Sequence, residues 1–437
     1  GNTQIPKLLG SLSLYQNDGR TEDAFAAGFF WSRVVEHHSF ATGGHGKDEY
    51  FSEPDRFNDR IDGRTAESCN VYNMLKLTRG LFPLFPDARY ADFQERALYN
   101  HVLASQDPQD GWACYMVPVG RGVLREYERN MLDGGFTCCT GSSMENHALH
   151  GTGIYHEDDT SLWVNLYAPS TAEWKQRAVR LEMETDFPRG EQATIRFSLA
   201  HPQSFTLKLR RPFWAVNFTI EVNGSAWLVP PMVPGHSDFV AVTREWRDGD
   251  RVALRLPKSL RLEPLHDNPN RSAILWGPLV LAADLGPEDM PAIRGQSGGH
   301  IEGVPVFVAA GRPPAEWLNP VDGRPGHFRS DGVGRDRDVE FAPFHELHRR
   351  TYSVYVDLCK QEQYEVLAKE LAAAERRSKA LADATVGFAQ PGEMQPERDA
   401  NMQGENSTPV RVQGRAGRRA AGWFSFDLPV APAHPLD

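Results

Sequence analysis

Hydrophobic and polar positions repeat with two different periods along this chain, and the period changes near Ser161. Before that point apolar residues recur at helical spacing. Ala24, Phe25, Gly28, Phe29, Val34 and Val35 form a stripe that predicts a helix over 21–38. Thr65 reads as the N-cap of a second helix, with Val71, Met74, Leu75, Thr78 and Phe82 on one side and Pro83 and Pro86 to stop it. A third is predicted over 88–104, with Tyr90, Phe93, Ala97 and Val102 inward, and a shorter one over 143–155. Polar, Gly-rich loops lie between them at 42–46 and 133–135. Helix pairs with such loops at one end suggest an α-helical toroid or part of one.

After Ser161 the alternation is in twos. Leu162-Val164-Leu166, Val179-Leu181-Met183, Ala193-Ile195-Phe197 and Phe205-Leu207-Leu209 are followed by similar runs at 218–222, 239–243 and 252–256. Turn signals such as Asn223-Gly224 and Asp248-Gly249-Asp250 separate them, which predicts a β-sandwich. The apolar run 272–285 predicts one central strand, and the Gly-, Pro- and Asp-rich stretch 286–340 predicts loop. Residues 361–384, rich in Ala and charge, predict a solvated helix. The expected plan is multidomain α plus β: a helical region over 1–165, a β-sandwich over 166–290, linker over 291–345, and a helix with a further β element over 346–437. No internal repeat is visible.

Composition narrows the function classes. At 437 residues the chain exceeds one core, and 40% hydrophobic with 24% charged residues is ordinary for a globular protein. Lys and Arg number 47 against 58 Asp and Glu, a net charge of −11, which argues against nucleic acid and anionic membrane surfaces as partners. No run approaches the ~18 apolar residues of a membrane span. Gly1 to Lys7 includes no initiating Met and runs straight into patterned sequence, so further N-terminal material is expected. Five cysteines, an odd and low number, argue against a disulfide framework and indicate no compartment.

Three of the five cysteines carry the candidate chemistry. Cys138 and Cys139 are adjacent, and neighbours on one chain rarely have the geometry of a disulfide. Both can point at one metal ion, or both can be small buried apolar groups. Cys69 lies upstream in Glu67-Ser68-Cys69-Asn70, and three thiolates with the Glu67 carboxylate make the four ligands of a tetrahedral Zn²⁺ site. Such a site can be structural and closed. A thiolate that also meets substrate could instead attack a sugar carbon, with a protonated carboxyl nearby to serve the leaving oxygen. Glu49 and Glu53 are both candidates for that carboxyl. Water-activating zinc chemistry needs an open position, and four protein ligands leave none. For Cys114 and Cys359 core packing is expected.

In these residues the chain resembles the zinc-thiolate β-L-arabinofuranosidases, glycoside hydrolase family 127 and its sister family 146. The matching stretches are Asn2-Thr3-Gln4-Ile5-Pro6-Lys7, Thr42-Gly43-Gly44, Glu49-Tyr50-Phe51, Glu67-Ser68-Cys69-Asn70 with 72–77, Tyr115 through Pro118, Cys138-Cys139, Glu145-Asn146-His147 and the strand residues 276–281. The resemblance implies a retaining glycosidase acting on carbohydrate, with Cys138 as nucleophile and zinc ligand. It further implies Cys139, Cys69 and Glu67 as the other ligands, Glu49 rather than Glu53 as general acid/base, and Tyr115 as a sugar contact. His45 and His147 lie near these motifs, and either polar packing or sugar contact is open to them. The implied fold is an (α/α)₆ barrel followed by β-sandwich domains. A full barrel needs twelve helices and about five are readable here, so the resemblance implies a partial barrel, with further N-terminal helices ahead of Gly1. A related glycosidase for another pectic sugar, or a non-catalytic zinc-stabilised carbohydrate-binding protein, are the alternatives.

Overall fold

The computed structural model describes residues 2–128, 136–287, 304–387, 389–392, 397–398, 400–412 and 415–429. The expected loop at 133–135 and the 291–303 part of the expected linker lie outside these residues. The chain divides into two compact units, Gly1–Glu365 and Val366–Asp437.

The first unit begins with helices. A hairpin of α1 (Ile5–Asp18) and α2 (Thr21–His37) turns at Gly19, whose φ of 70° is open to glycine without strain. Next come α3 (Ser68–Leu81) and α4 (Ala88–Ala97), and α5 (Cys138–Ala148) completes the five α-helices among the described residues before the sheets. Their shared core is built around Trp31, which is 2% exposed. Its indole packs edge-on to Tyr90 and donates to Thr78 Oγ1 at 2.8 Å, so its one polar atom is satisfied. α4 continues into a single π turn, Leu98–Val102. That turn presents the Asn100 amide to Pro278 O (2.8 Å) and Val280 N (2.7 Å), fastening the helices to a sheet 180 residues away in sequence.

Two sheets follow face to face. One orders Tyr155–Glu157, Ser161–Val164, Gln203–Arg211 and Asp238–Trp246; the other runs Ser170–Trp174, Val179–Thr185, Gln192–Leu199, Arg251–Arg255, Thr219–Val222 and Ser225–Ala226. Residues from both, including Leu181, Ile195, Phe197, Leu207, Val242 and Trp246, share one buried cluster, which makes the pair a sandwich. The alternation is visible in burial: Val179, Leu181 and Met183 are buried while Arg180, Glu182 and Glu184 are exposed. Asn223 and Gly224, both at positive φ, close the Thr219–Val222 hairpin, as the sequence pair predicts. A third sheet of eight strands centres on Asn268–Trp276 and Leu279–Pro287. Its residues Leu275, Val280 and Ala282 pack with Phe40, Phe57, Cys114 and Val117 of the helical region's loops.

The second unit holds most of α6 (Tyr364–Ala384) and one antiparallel hairpin, Gln403–Val412 with Arg415–Ser425. No helix among the described residues is long and apolar enough to cross a membrane.

Four local expectations change. The run 272–285 is two strands, not one, turning at Gly277-Pro278, because the residues flanking the turn are buried and leave no alternation to mark it. The stretch 286–340 is not all loop: Val306–Phe307, Leu318–Pro320 and Phe328–Ser330 are strands, too short for a period to register. Thr65 does not cap α3; it donates to Asp62 O and accepts from Val119 N, and Glu67 occupies the cap position. The helix expected from Ser143 begins at Cys138 itself.

Candidate metal centre and active site

Two helix starts face one another at the candidate site. Ahead of α3, Ser68 N donates to Tyr115 O (3.0 Å), Val117 N donates to Ala66 O (3.0 Å), and Glu67 bridges Met116. This short ladder places Tyr115 beside Glu67 and Cys69. Ala66 holds a left-handed φ of 62°, an uncommon conformation for a residue with a Cβ. α5 opens at Cys138 because Thr137 caps it: the Thr137 hydroxyl accepts from Cys139 N at 3.2 Å. Glu128 accepts from the Thr137 and Thr140 hydroxyls, each at 2.9 Å, and so braces the cap.

The arrangement gathers Glu67, Cys69, Cys138 and Cys139, one ligand atom from each lying within 4.8 Å of all the others. Cys139 Sγ is 3.4 Å from Cys69 Sγ and 3.8 Å from Glu67 Oε1. Cys69, Cys139 and Glu67 are buried, whereas Cys138 is exposed. Glu67 Oε2 is buried with no hydrogen-bond partner. Burial, and then the charges of Glu49 and Cys138, push the Glu67 carboxyl up to about 9. Hydrogen bonds with Cys139 and Cys69 and contact with Tyr115 hold the Cys138 thiol far below its ordinary value; the Cys69 and Cys139 thiols move the other way, Cys69 through its bond to Cys138 and Cys139 through burial. These shifts run in the direction that favours the thiolate at Cys138, the exposed member of the cluster. All three thiols sit in the first turn of a helix, Cys69 on α3 and Cys138 and Cys139 on α5, where unpaired N–H groups favour an anion. The group could hold a metal ion.

Glu49 enters from a tight turn. Lys47 and Tyr50 exchange backbone hydrogen bonds of 3.0 and 2.9 Å, and the two residues between them, Asp48 and Glu49, both have positive φ (49° and 67°). Two non-glycine residues in that conformation carry strain, which the ion pairs of Asp48 with Arg64 and of Lys47 with Asp62 help to hold. The Tyr115 hydroxyl donates to Glu49 Oε1 and lies 4.0 Å from Cys138 Sγ, so it stands between carboxyl and thiol. Glu53 has no place in this network.

Sequence profiles agree with what the site resembles. Residues 1–152 match the catalytic domain of the GH127 β-L-arabinofuranosidases, and residues 161–258 match the middle domain of the same family. This chain belongs to glycoside hydrolase family 127. Residues 261–358 of this GH127 chain match a further domain of unknown function. A non-reducing end β-L-arabinofuranosidase of Bifidobacterium longum is 25% identical over 308 residues, which is 65% of this chain and 44% of that one. Among solved structures, a GH127 β-L-arabinofuranosidase from Geobacillus stearothermophilus T6 superposes with a TM-score of 0.61 at 20% identity, covering 81% of this chain and 60% of the other. A second GH127 β-arabinofuranosidase gives 0.63, also at 20% identity, covering 81% and 59%. The chain thus spans less than half the length of the curated relative it matches.

Several residues of this GH127 site carry no signal of their own in the sequence. Asn2 Nδ2 donates to Glu67 Oε1 at 3.1 Å, and the Ser142 hydroxyl lies 2.9 Å from Cys69 Sγ. Asn73 stands four residues after Cys69, one helical turn, and only that spacing connects it to the site. Of the two histidines near the motifs, His45 is fully buried and stacks on Phe51, while His147 Nδ1 lies 3.1 Å from His150 Nε2.

Proposed function

We propose that this protein is a retaining glycoside hydrolase releasing β-L-arabinofuranose from plant glycans or glycoproteins. In this reading Cys138 is the nucleophile, Glu49 the general acid/base, Tyr115 a substrate contact, and Zn²⁺ is held by Glu67, Cys69, Cys138 and Cys139. One observation carries it: within a buried cluster of acidic donors only Cys138 is exposed, and the Tyr115 hydroxyl reaches from it toward Glu49. The donor set fits zinc. A tetrahedral ion with Zn–S of about 2.3 Å needs sulfurs about 3.8 Å apart. The Cys69 and Cys139 sulfurs, 3.4 Å apart, already approach that spacing, and the bare Glu67 Oε2 lacks a positive partner.

When bound, zinc would supply the positive charge that keeps the thiols ionised. The Cys138 sulfur attacks the anomeric carbon as the Glu49 carboxyl gives its proton to the leaving oxygen; the C–S bond forms and the C–O bond breaks. Glu49, now a carboxylate, takes a proton from water while the water oxygen attacks the same carbon. The C–S bond breaks and its electron pair returns to Cys138. Two inversions give retention. Tyr115 keeps Glu49 turned toward the sulfur throughout.

The test is hydrolysis of an aryl β-L-arabinofuranoside by the full-length protein, expected to vanish in Cys138→Ser; turnover that survives removes the nucleophile assignment. A panel of aryl glycosides separates arabinofuranose from other pectic sugars. The completeness of the four-ligand set favours one second reading, a non-catalytic protein with a closed zinc site that binds carbohydrate. Iodoacetamide would label Cys138 selectively in the enzyme and leave it unmodified in the closed site.

A further inference from the structure

The orientation of the Glu67 carboxylate is set by a chain of two side-chain amides that can be read from one fixed point. That point is the backbone carbonyl of Cys69, which accepts from Asn73 Nδ2 at 3.0 Å. A carbonyl cannot donate, so the Asn73 NH₂ must face it. The same NH₂ group donates to Asn2 Oδ1 at 3.0 Å. Asn2 must therefore turn its oxygen toward Asn73, which leaves its own NH₂ for Glu67 Oε1, 3.1 Å away. Each amide has one allowed flip, and the direction of donation runs from Asn73 through Asn2 to the carboxylate. Asn73 is 9% exposed, and the turn that carries Asn2 leads directly into Ile5, which is buried in the helical core.

We propose that Asn2 and Asn73 are positioning residues for the metal centre: Asn2, oriented by Asn73, donates to Glu67 Oε1 and so fixes the rotation in which the carboxylate faces the thiols. This rests on the metal reading above. Without the Asn2 donor, Glu67 Oε1 would keep only its 3.8 Å contact with Cys139 Sγ, and the carboxylate would be free to rotate between its two oxygens. Asn73 has a further part, because its bond to the Cys69 carbonyl secures the turn of α3 that presents the Cys69 thiol. A residue outside the cluster thereby governs two of its four ligands.

Zinc-loaded full-length protein is titrated with a chelator, and metal release is followed directly. Loss of an outer-sphere partner of a ligand weakens metal binding by about 10–100-fold, so Asn2→Ala is expected to release zinc at a chelator concentration lower by that factor. Asn73→Ala, which leaves Asn2 present but free to flip, is expected to shift in the same direction by less; it also serves if Asn2→Ala does not fold. With Co²⁺ in place of zinc, Asn2→Ala should keep the thiolate charge-transfer band and change the d–d envelope, a signature that loss of packing alone would not give. Wild-type chelator resistance and an unchanged cobalt spectrum in both variants would overturn the inference while leaving the metal reading standing. A wild type that takes up neither metal overturns both.

Discussion

Arg210 is a fully buried charge outside the candidate site, and replacing it has a calculable cost. Its side chain is 0% exposed on the strand Gln203–Arg211, and it donates to Asp92 Oδ1 at 2.7 Å and to Glu95 Oε1, both on α4. Glu95 also accepts from Trp214 Nε1 at 3.2 Å. The triad thus joins the sandwich to the helix that continues into the Asn100 turn. Arg210→Met keeps most of the packing volume and leaves a buried Glu95 and a half-buried Asp92 without this cation. Breaking a buried pair in this way costs about 3–5 kcal/mol. For a unit this large each kcal/mol moves Tm by about 2 °C, so a fall of about 6–10 °C is expected at pH 7. The sign with pH follows from burial, which pushes Asp92 and Glu95 upward even with Arg210 in place. Without it they bind protons more tightly folded than unfolded, so the variant regains stability as pH falls toward the ordinary carboxyl range. The gap to wild type should narrow between pH 7 and pH 5, and Asp92→Asn with Glu95→Gln should recover most of the loss in the Arg210→Met background. Calorimetric melts of the three proteins decide it. A loss below about 1 kcal/mol, or a gap that does not move with pH, refutes the reasoning that the two carboxylates depend on this one guanidinium.

Two further outcomes concern the acid/base and the acid limit of the fold. Glu49→Gln should lower kcat/KM by about 10²–10⁴-fold on an alkyl glycoside and by much less on a 2,4-dinitrophenyl glycoside, whose leaving group needs no proton; equal losses would remove Glu49 from that role. Glu346 accepts from His327 Nε2 at 3.0 Å, and this bond holds its carboxyl down from 4.5 to about 2. A depressed carboxyl contributes stability that is present above its unfolded value and is lost as pH falls through the folded one, here between 4.5 and about 2. The group is partly exposed, so the contribution is about 1 kcal/mol after screening. The Tm difference between wild type and Glu346→Gln should be flat above pH 5 and close on acidification, and a difference constant to pH 3 would discount the pair.

What the sequence made legible follows from which forces write themselves into residue order. The sandwich did so strand by strand, since one face of each strand is buried and the other wet, and Val179–Thr185 shows this alternation directly. Where both faces are buried the signal disappears, and the hairpin at Gly277-Pro278 passed for a single strand. The start of helix α5 hid for a different reason. Its first turn, Cys138-Cys139-Thr140-Gly141, has no apolar period because it serves a site and not a core, and only the Thr137 cap announces it. The candidate site divides in the same way. Residue type alone brought Glu67, Cys69, Cys138 and Cys139 into one argument, since thiols and a carboxylate have a chemistry in common wherever they lie. Resemblance to a family, and not spacing, separated Glu49 from Glu53. The distinction has a physical counterpart in the turn that holds Glu49 at positive φ against Tyr115, which no single-residue preference encodes. Asn2 heads one of the stretches that carry the resemblance, but nothing in the sequence assigned it a part in the site. An amide is common on any surface, and its part here comes entirely from a tertiary contact across 65 residues and from the direction in which one carbonyl forces two amides to point. Sequence therefore reports groups that act through what they are, and structure is required for groups that act through where another residue turns them.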